Sequence, residues 1–381
     1  MNFEWSPEQQ DLYKTIVQFA RHELSPGHLE RDRAAHFARH VWDKAAEFGL
    51  TGLPIPHDWG GMALDVLGTL YAIEGLGYGC LDAGLVFSLC AHLFACAVPL
   101  WKAGDNQQRQ RYLVPVASGQ WIGANAITEP EAGSDVFALQ TTAVKEGDAY
   151  VLNGIKSFVT NGPVAEVFLV YATVNRSLGF LGVTAFIVLR ETPGLQVASN
   201  DGKIGLRSSP IGTLHLNDCR VPAANRLGVE GSGGAIFHES MAWERVCLFA
   251  AYIGSMQRQL EDCITYARQR QQFGQPIGKF ESVANRLVDM KLRLEASRLL
   301  LYHAGWLYQQ GKRCDLEVAL SKLHITESAV QSSLDAIQIH GGYGCMSDLG
   351  VELSLRDAIP SRIFSGTSDM MRKLIARGLG L

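Results

Sequence analysis

Trp243, Val246, Ala250, Ile253, Gln257, Leu260, Ile264 and Ala267 follow one another at alternating steps of three and four residues. The rhythm returns at Val283, Leu287, Met290, Leu294, Ser297, Leu301 and Ala304. It returns again at Ala319, Leu323, Thr326, Val330, Ser333 and Ile337. Seams sustained over several heptads and joined by short connections bury themselves only against one another, so they predict an antiparallel helical bundle. Most of these residues serve core packing alone.

The rest of the chain divides by texture. Residues 1–120 are helical in pattern, opening with Ser6 as cap, Pro7 at the first helical position, Gln9 completing a capping box, and Leu12, Ile16 and Phe19 on one face. Residues 121–230 change to short β-rich runs, "VFLVYATV", "VTAFIVL" and "TLHLN", separated by Asn-Gly, Pro-Gly and Asn-Asp turns. A small β sandwich or barrel is expected there. After the loop "GVEGSGG" the helical period holds from 231 to 381. The predicted class is α+β, in three units: a helical N-terminal domain, a β domain and a C-terminal four-helix bundle.

Composition excludes several functions. Of 381 residues 47% are apolar and 19% charged, as in ordinary globular chains, and the net charge of −4 lacks the basic field that nucleic-acid binding needs. The eight cysteines show no Cys-x-x-Cys pair and no partnered histidine spacing, so reduced thiols and a cytoplasmic setting are expected, with no metal. The first residues lack a basic segment followed by an apolar run, so no signal peptide is expected. Residues 83–100 approach membrane-span length but contain Ser88 and His92, which predicts a core helix and no membrane association.

Among local motifs, no Gly-x-Gly-x-x-Gly follows a strand and no Walker lysine loop occurs, which argues against a Rossmann site. "GLGYG" from Gly75 reads as a tight helix contact. "HGGYG" from His340 reads either as a glycine-rich helix end or as a place where a ligand lies against backbone. "ITEPEAGSD", residues 127–135, gathers Thr128, Pro130, Gly133 and Ser134, so amides and two hydroxyls could converge on a flat ligand; a capped surface turn reads equally well.

"ITEPEAGSD", "NGIKSFVTNG", "ARQRQQFGQPIGKFESV", "QIHGGYG" and "RDAIPSRIFSGTSD" stand in the order and at the distances of the acyl-CoA dehydrogenase family, and the resemblance spans the whole chain. It implies FAD between the β domain and the bundle. By resemblance Asn125, Ala126, Ile127, Thr128, Phe158, Val159 and Thr160 meet the isoalloxazine, with Gly133 and Ser134 near the phosphates and the substrate entrance. Arg270, Phe273, Gln338, Ile339, Gly341 and Gly342 would reach the FAD of a neighbouring subunit, and Gly366, Thr367 and Ser368 would cap the cofactor. A homo-oligomer, a tetramer by resemblance, follows. Two residues depart from the family pattern: Phe158 stands where Trp is usual and Glu281 where Gln is usual, and the added carboxylate weakens a cofactor role at 281.

The family reaction removes an α proton from a thioester while hydride leaves the adjacent carbon for the flavin. The carboxylate that usually takes the proton immediately precedes the Gly-Thr, and here that position is Ser365, which is no base without an activating neighbour. A minority resembling isovaleryl-type enzymes carries the Glu just before an Arg on the first bundle helix, and "MAWERVCLF" places Glu244 and Arg245 there. Cys247, Leu248 and Ala251 share the face of Glu244. Burial there raises a carboxyl pKa toward that of a base working near neutral pH; a structural Glu244 paired with a bundle arginine is the alternative.

"NAITEPEAGSDV", "MAWERVCLFAA" and "IFSGTSDM" together resemble the branch of the family that oxidises L-proline held as a thioester on a peptidyl or acyl carrier protein. That implies a phosphopantetheine-bearing partner, Ser134, Arg245 and Ser365 at the substrate, and a pyrroline or pyrrole product in secondary metabolism. A dehydrogenase of short branched acyl-CoA, a flavin monooxygenase on the same fold and a non-catalytic scaffold are the rivals.

Overall fold

The structure, a computed structural model, describes residues 4–200 and 202–381. Its first helix, α1 (Pro7–Phe19), starts as the sequence predicts: the Ser6 side chain accepts the Gln9 amide and the Gln9 side chain accepts the Ser6 amide. Ile16 is buried, with Leu12 and Phe19 packed beside it. α2 (Val66–Gly79) and α3 (Ala83–His92) carry the unit's core. The stretch Ala83–Ala103 is long and apolar enough to cross a membrane, yet 83% of its most apolar window is buried inside the fold. Its one imidazole is accounted for: His92 Nδ1 accepts the Gly123 amide at 2.9 Å while Nε2 reaches the Val116 carbonyl at 3.0 Å. Burial pushes its pKa down to about 4, so the ring is a neutral splice between the helices and the sheet.

The middle unit is one continuous mixed sheet of eight strands. They are β1 (Gly123–Ala126), β2 (Thr142–Glu146), β3 (Ala149–Thr160), β4 (Val167–Thr173), β5 (Val183–Leu189), β6 (Leu195–Ser199), β7 (Ile211–Pro222) and β8 (Arg226–Leu227). The hydrogen-bonded path runs β6-β7-β3-β2-β4-β5-β8, and β1 joins β4 in parallel with Gly123 opposite Val167. Every residue of β4 is buried. Phe168 and Val170 enter the core shared with the helices, whereas Leu169 and Tyr171 enter a second core on the other face. Burial on both faces is why "VFLVYAT" is apolar without alternation.

The C-terminal unit contains α4 (Gly233–Cys247), α5 (Ala250–Gln269), α6 (Glu281–Gln309), α7 (Asp315–His340), α8 (Val351–Ala358) and α9 (Ser368–Gly378). One expectation is corrected. The seam from Trp243 to Ala267 predicts a single helix, but the chain breaks at Leu248 and Phe249, where the Ala251 and Tyr252 amides bond three residues back, to Leu248 and Phe249. The apolar rhythm survives because such a turn keeps both segments facing the core.

Where α2 crosses α5, a Cβ on Gly77 would lie 2.1 Å from the Ala251 carbonyl oxygen, and one on Gly254 would lie 2.1 Å from that of Glu74. The "GLGYG" string is thus a helix contact. A charged clasp ties the three units together: Arg356 pairs with Asp32 at 2.7 Å, Arg31 with Asp82 at 2.7 Å, and Asp357 accepts the Leu206 amide at 2.6 Å. Burial pushes the Asp357 carboxyl up to about 7.

Candidate active site

Glu244 occupies the last turn of α4 and is buried, with Cys247, Leu248 and Ala251 also buried on its face. Ser240, one turn earlier, donates to the Phe94 carbonyl at 3.0 Å and pins the helix. Desolvation raises the Glu244 pKa, and the Ser365 hydroxyl and the Arg245 charge pull it partly back. The Ser365 hydroxyl donates to Glu244 Oε1. Arg245 Nε, meanwhile, donates to the Ser365 carbonyl at 2.8 Å rather than to the carboxylate. The structural alternative of a Glu244–arginine pair is therefore not what the geometry contains.

Ser365 reaches this position through a left-handed backbone, φ 55°, with Gly366 following at φ 92°. A non-glycine residue held there costs about 1–3 kcal/mol and persists only where its surroundings fix it. The loop is fixed on its C-terminal side: Thr367 caps α9 by accepting the Met370 amide, and Ser368 donates to Glu327, which also pairs with Arg362. Lys322, fully buried with no hydrogen-bond partner among the described residues, lies close enough to Arg245 that, after burial, the guanidinium further lowers its pKa to about 7.

The motifs for which the family resemblance implies cofactor contact form a second group. Asn125 donates to the Ala95 carbonyl at 3.0 Å, Ala126 and Ile127 are buried, and Thr128 accepts the Ser157 amide at 2.8 Å, which joins the "ITEPEAGSD" and "NGIKSFVTNG" segments. Between Lys156 and Val159 the register of β3 shifts, and Phe158 sits at φ 56° and is 67% exposed, flanked by buried Val159 and by Thr160. Gly133 and Ser134 lie exposed in the adjoining turn, where a Cβ on Gly133 meets nothing within 4 Å.

Two residues organise this group that sequence reasoning passed over. Lys156 Nζ and Glu129 Oε1 are 2.7 Å apart, both side chains essentially sealed from solvent, and Lys156 also donates to the Ile127 carbonyl. Burial works to raise the Glu129 pKa, but the Lys156 charge and the amides of Gln140 and Thr141 outweigh it and hold the carboxyl below its usual value. The available signal was Lys156, the one charged residue of "NGIKSFVTNG", and Glu129, the first of three in "ITEPEAGSD".

Arg270, Ile339, Gly341 and Gly342 form a third group, lining an open depression of about 580 Å³ with Tyr266 and Tyr343. Arg270 lies 5.9 Å from the Tyr343 ring, and Tyr266 stacks on His340 at 4.2 Å. Phe273 projects beside it, 93% exposed at φ 51°, while Gln338 is exposed at the end of α7. A side chain on Gly341 or Gly342 would meet nothing within 4 Å, so the two glycines leave open backbone. Arg270 is the one permanently charged residue of the lining, and no carboxylate faces it there, which fits a dinucleotide's phosphates and its flat base. Glu281 is exposed at the first residue of α6, where a carboxylate suits the helix dipole.

A helical unit, a mixed sheet and a helical bundle with a buried carboxylate on its first helix are the three-part architecture of one enzyme family. The descriptions of the acyl-CoA dehydrogenase N-terminal, middle and C-terminal domains match residues 6–120, 124–219 and 231–380, and the chain belongs to the acyl-CoA dehydrogenase family. Within it, the chain is 47% identical, over its full length and 99% of the relative's, to an L-prolyl-[peptidyl-carrier protein] dehydrogenase of a Serratia species. It is 47% identical to one from Pseudomonas fluorescens, full length in both. Among solved structures it matches the prolyl acyl carrier protein oxidase AnaB (TM-score 0.97, 47% identity, 99% and 100% of the two chains). It also matches PigA with FAD and proline (TM-score 0.98, 46% identity, full length in both).

Proposed function

We propose that this protein is an FAD-dependent dehydrogenase of an L-prolyl thioester carried on the phosphopantetheine arm of a carrier protein. The observation that carries the reading is the Glu244–Ser365 pair: a desolvated carboxylate on the first bundle helix, with a hydroxyl where most of the family has the base. Full-length relatives named as prolyl-carrier dehydrogenases support it.

In this reading Glu244 takes the substrate's α proton. Ser365 occupies Oε1, which leaves Oε2 to receive that proton, and burial gives the carboxylate the basicity the step needs. Arg245 holds the Ser365 carbonyl, which fixes the loop against which the thioester rests, and Ser134 lies at the entrance side. FAD, held by residues 125–128, 133–134, 158–160 and 366–368, supplies the hydride acceptor when bound. The depression at Arg270 and Gly341–Gly342, with Phe273 and Gln338 beside it, serves the FAD of a second protomer, which makes the enzyme a homo-oligomer; the family resemblance supports a tetramer, and the reduced cysteines support a cytoplasmic setting.

Anaerobic titration decides the substrate. The flavin of the purified protein should bleach with L-prolyl-loaded carrier protein and not with isovaleryl-CoA, and bleaching by isovaleryl-CoA alone would assign it to branched acyl-CoA. Oxygen-dependent hydroxylation without bleaching by any thioester would make it a monooxygenase. Glu244→Gln should retain flavin and lose bleaching by at least about 100-fold.

A further inference from the structure

Behind the base lies a cavity of about 310 Å³, in the size range of small-ligand sites, that the reaction above does not use. Phe87, Cys90, Leu248, Ala251 and Tyr252 line it, while Glu244, Phe364 and Ser365 do not. The partition is thin. Leu248 stands one helical turn from Glu244, and the Cys90 thiol, raised first by burial, is raised further by the Glu244 charge. Aromatic rings fill the gap: Phe364, next to Ser365, lies 4.5 Å from Phe87, 5.8 Å from Phe249 and 6.5 Å from Tyr252. Phe249 is fully buried, whereas Phe87, which lines the cavity, and Phe364 are only partly buried.

We infer that Phe87 and Phe364 are the back wall of the acyl site, and that Phe87 is the residue restricting the acyl group to a small ring. The inference rests on the dehydrogenase reading above. With the Phe87 ring removed, the cavity and the base compartment become one space that admits a straight acyl chain. Each methylene entering it is worth about fourfold in affinity, from the transfer energy of a buried CH₂. An octanoyl thioester placed there would give its α proton to Glu244, and FAD, when bound, would supply the acceptor for the β hydride, so the product would be a 2-enoyl thioester.

The experiment compares the unaltered holoenzyme with Phe87→Ala and Phe87→Leu, using pantetheine thioesters of proline and octanoate in anaerobic bleaching. Binding of octyl-pantetheine thioether, which has no thioester carbonyl to acidify a proton, is followed by calorimetry. Phe87→Ala should bleach with octanoyl-pantetheine at least tenfold faster than the unaltered enzyme and bind the thioether at least tenfold tighter. Phe87→Leu should show both gains in smaller measure, which covers the case in which the alanine variant does not fold. Equal thioether affinity in all folded proteins overturns the wall, as does bleaching of the unaltered enzyme by octanoyl-pantetheine at the variant's rate. Tighter thioether binding by the variants beside an unaltered enzyme that ignores the prolyl thioester keeps the wall and removes the prolyl reading.

Discussion

The Ser365 hydroxyl does two things to Glu244: it fixes one carboxylate oxygen and, by donating to the charged form, opposes the desolvation that raises the pKa. Ser365→Ala removes the second effect, so the carboxyl titrates higher still and fewer molecules hold an ionised base in acid. A hydrogen bond to a charged group is worth about 1.5–3 kcal/mol, so kcat/KM at pH 6 should fall about tenfold. The alkaline plateau should stay within about twofold, with flavin content unchanged. An equal loss at every pH would show that Ser365 positions the substrate and does not tune the base. Stability gives an independent check on Glu244. Because its folded pKa is raised, the stability it contributes is fully present below the unfolded value of about 4.3 and is lost as pH rises through the folded value. Glu244→Gln has no such loss, so its thermal midpoint relative to the unaltered protein should improve from pH 4 to pH 8.

Among the elements, the Lys156–Glu129 pair holds the "ITEPEAGSD" turn to β3, and the two ends make unequal demands. Burial lowers the Lys156 pKa to about 8 despite its partner, while Glu129 is held ionised by Lys156 and two amides. Removing one end strands a buried charge, at a cost of about 3–5 kcal/mol. Lys156→Met should therefore lose stability on that scale in denaturant titration and release flavin. The double variant Glu129→Gln/Lys156→Met should recover a measurable part, and a double variant no more stable than Lys156→Met would dismiss the pair as the cause. This element also marks the limit of what was legible in the sequence. The burial of Glu244 could be read because the apolar face three, four and seven residues on lies within one short string. The capping box at Ser6 and the helix contact at Gly77 are equally local. Lys156 and Glu129 meet only because β3 turns back on the residues after β1, and neither string shows the partner of its charge. The break at Leu248 was hidden because a tightened turn preserves the seam, and the cavity behind Phe87 because residues from six helices build it.

At the scale of the whole molecule, the exposed residues carry the argument. Arg270, Gly341, Gly342 and Phe273 gather at the ends of α5 and α7, and each leaves surface that nothing among the described residues covers. If one flavin spans two protomers, a catalytic defect and a cofactor-contact defect reside in different chains of the same site. Glu244→Gln alone gives a loaded, inactive protein. Arg270→Glu alone gives one that holds flavin weakly, since an added carboxylate opposes the phosphates. In a mixed oligomer with two-fold interfaces, the pocket that keeps Glu244 from one chain receives Arg270 from the other and is whole, while the reciprocal pocket carries both defects. Random pairing makes half the pairs mixed and one of two pockets whole in each, so co-expression should restore about a quarter of the bleachable sites. Counting flavin bleached per protomer by prolyl thioester measures that fraction. Recovery no greater than the sum of the two single variants would place both residues in one chain's site and remove the composite pocket.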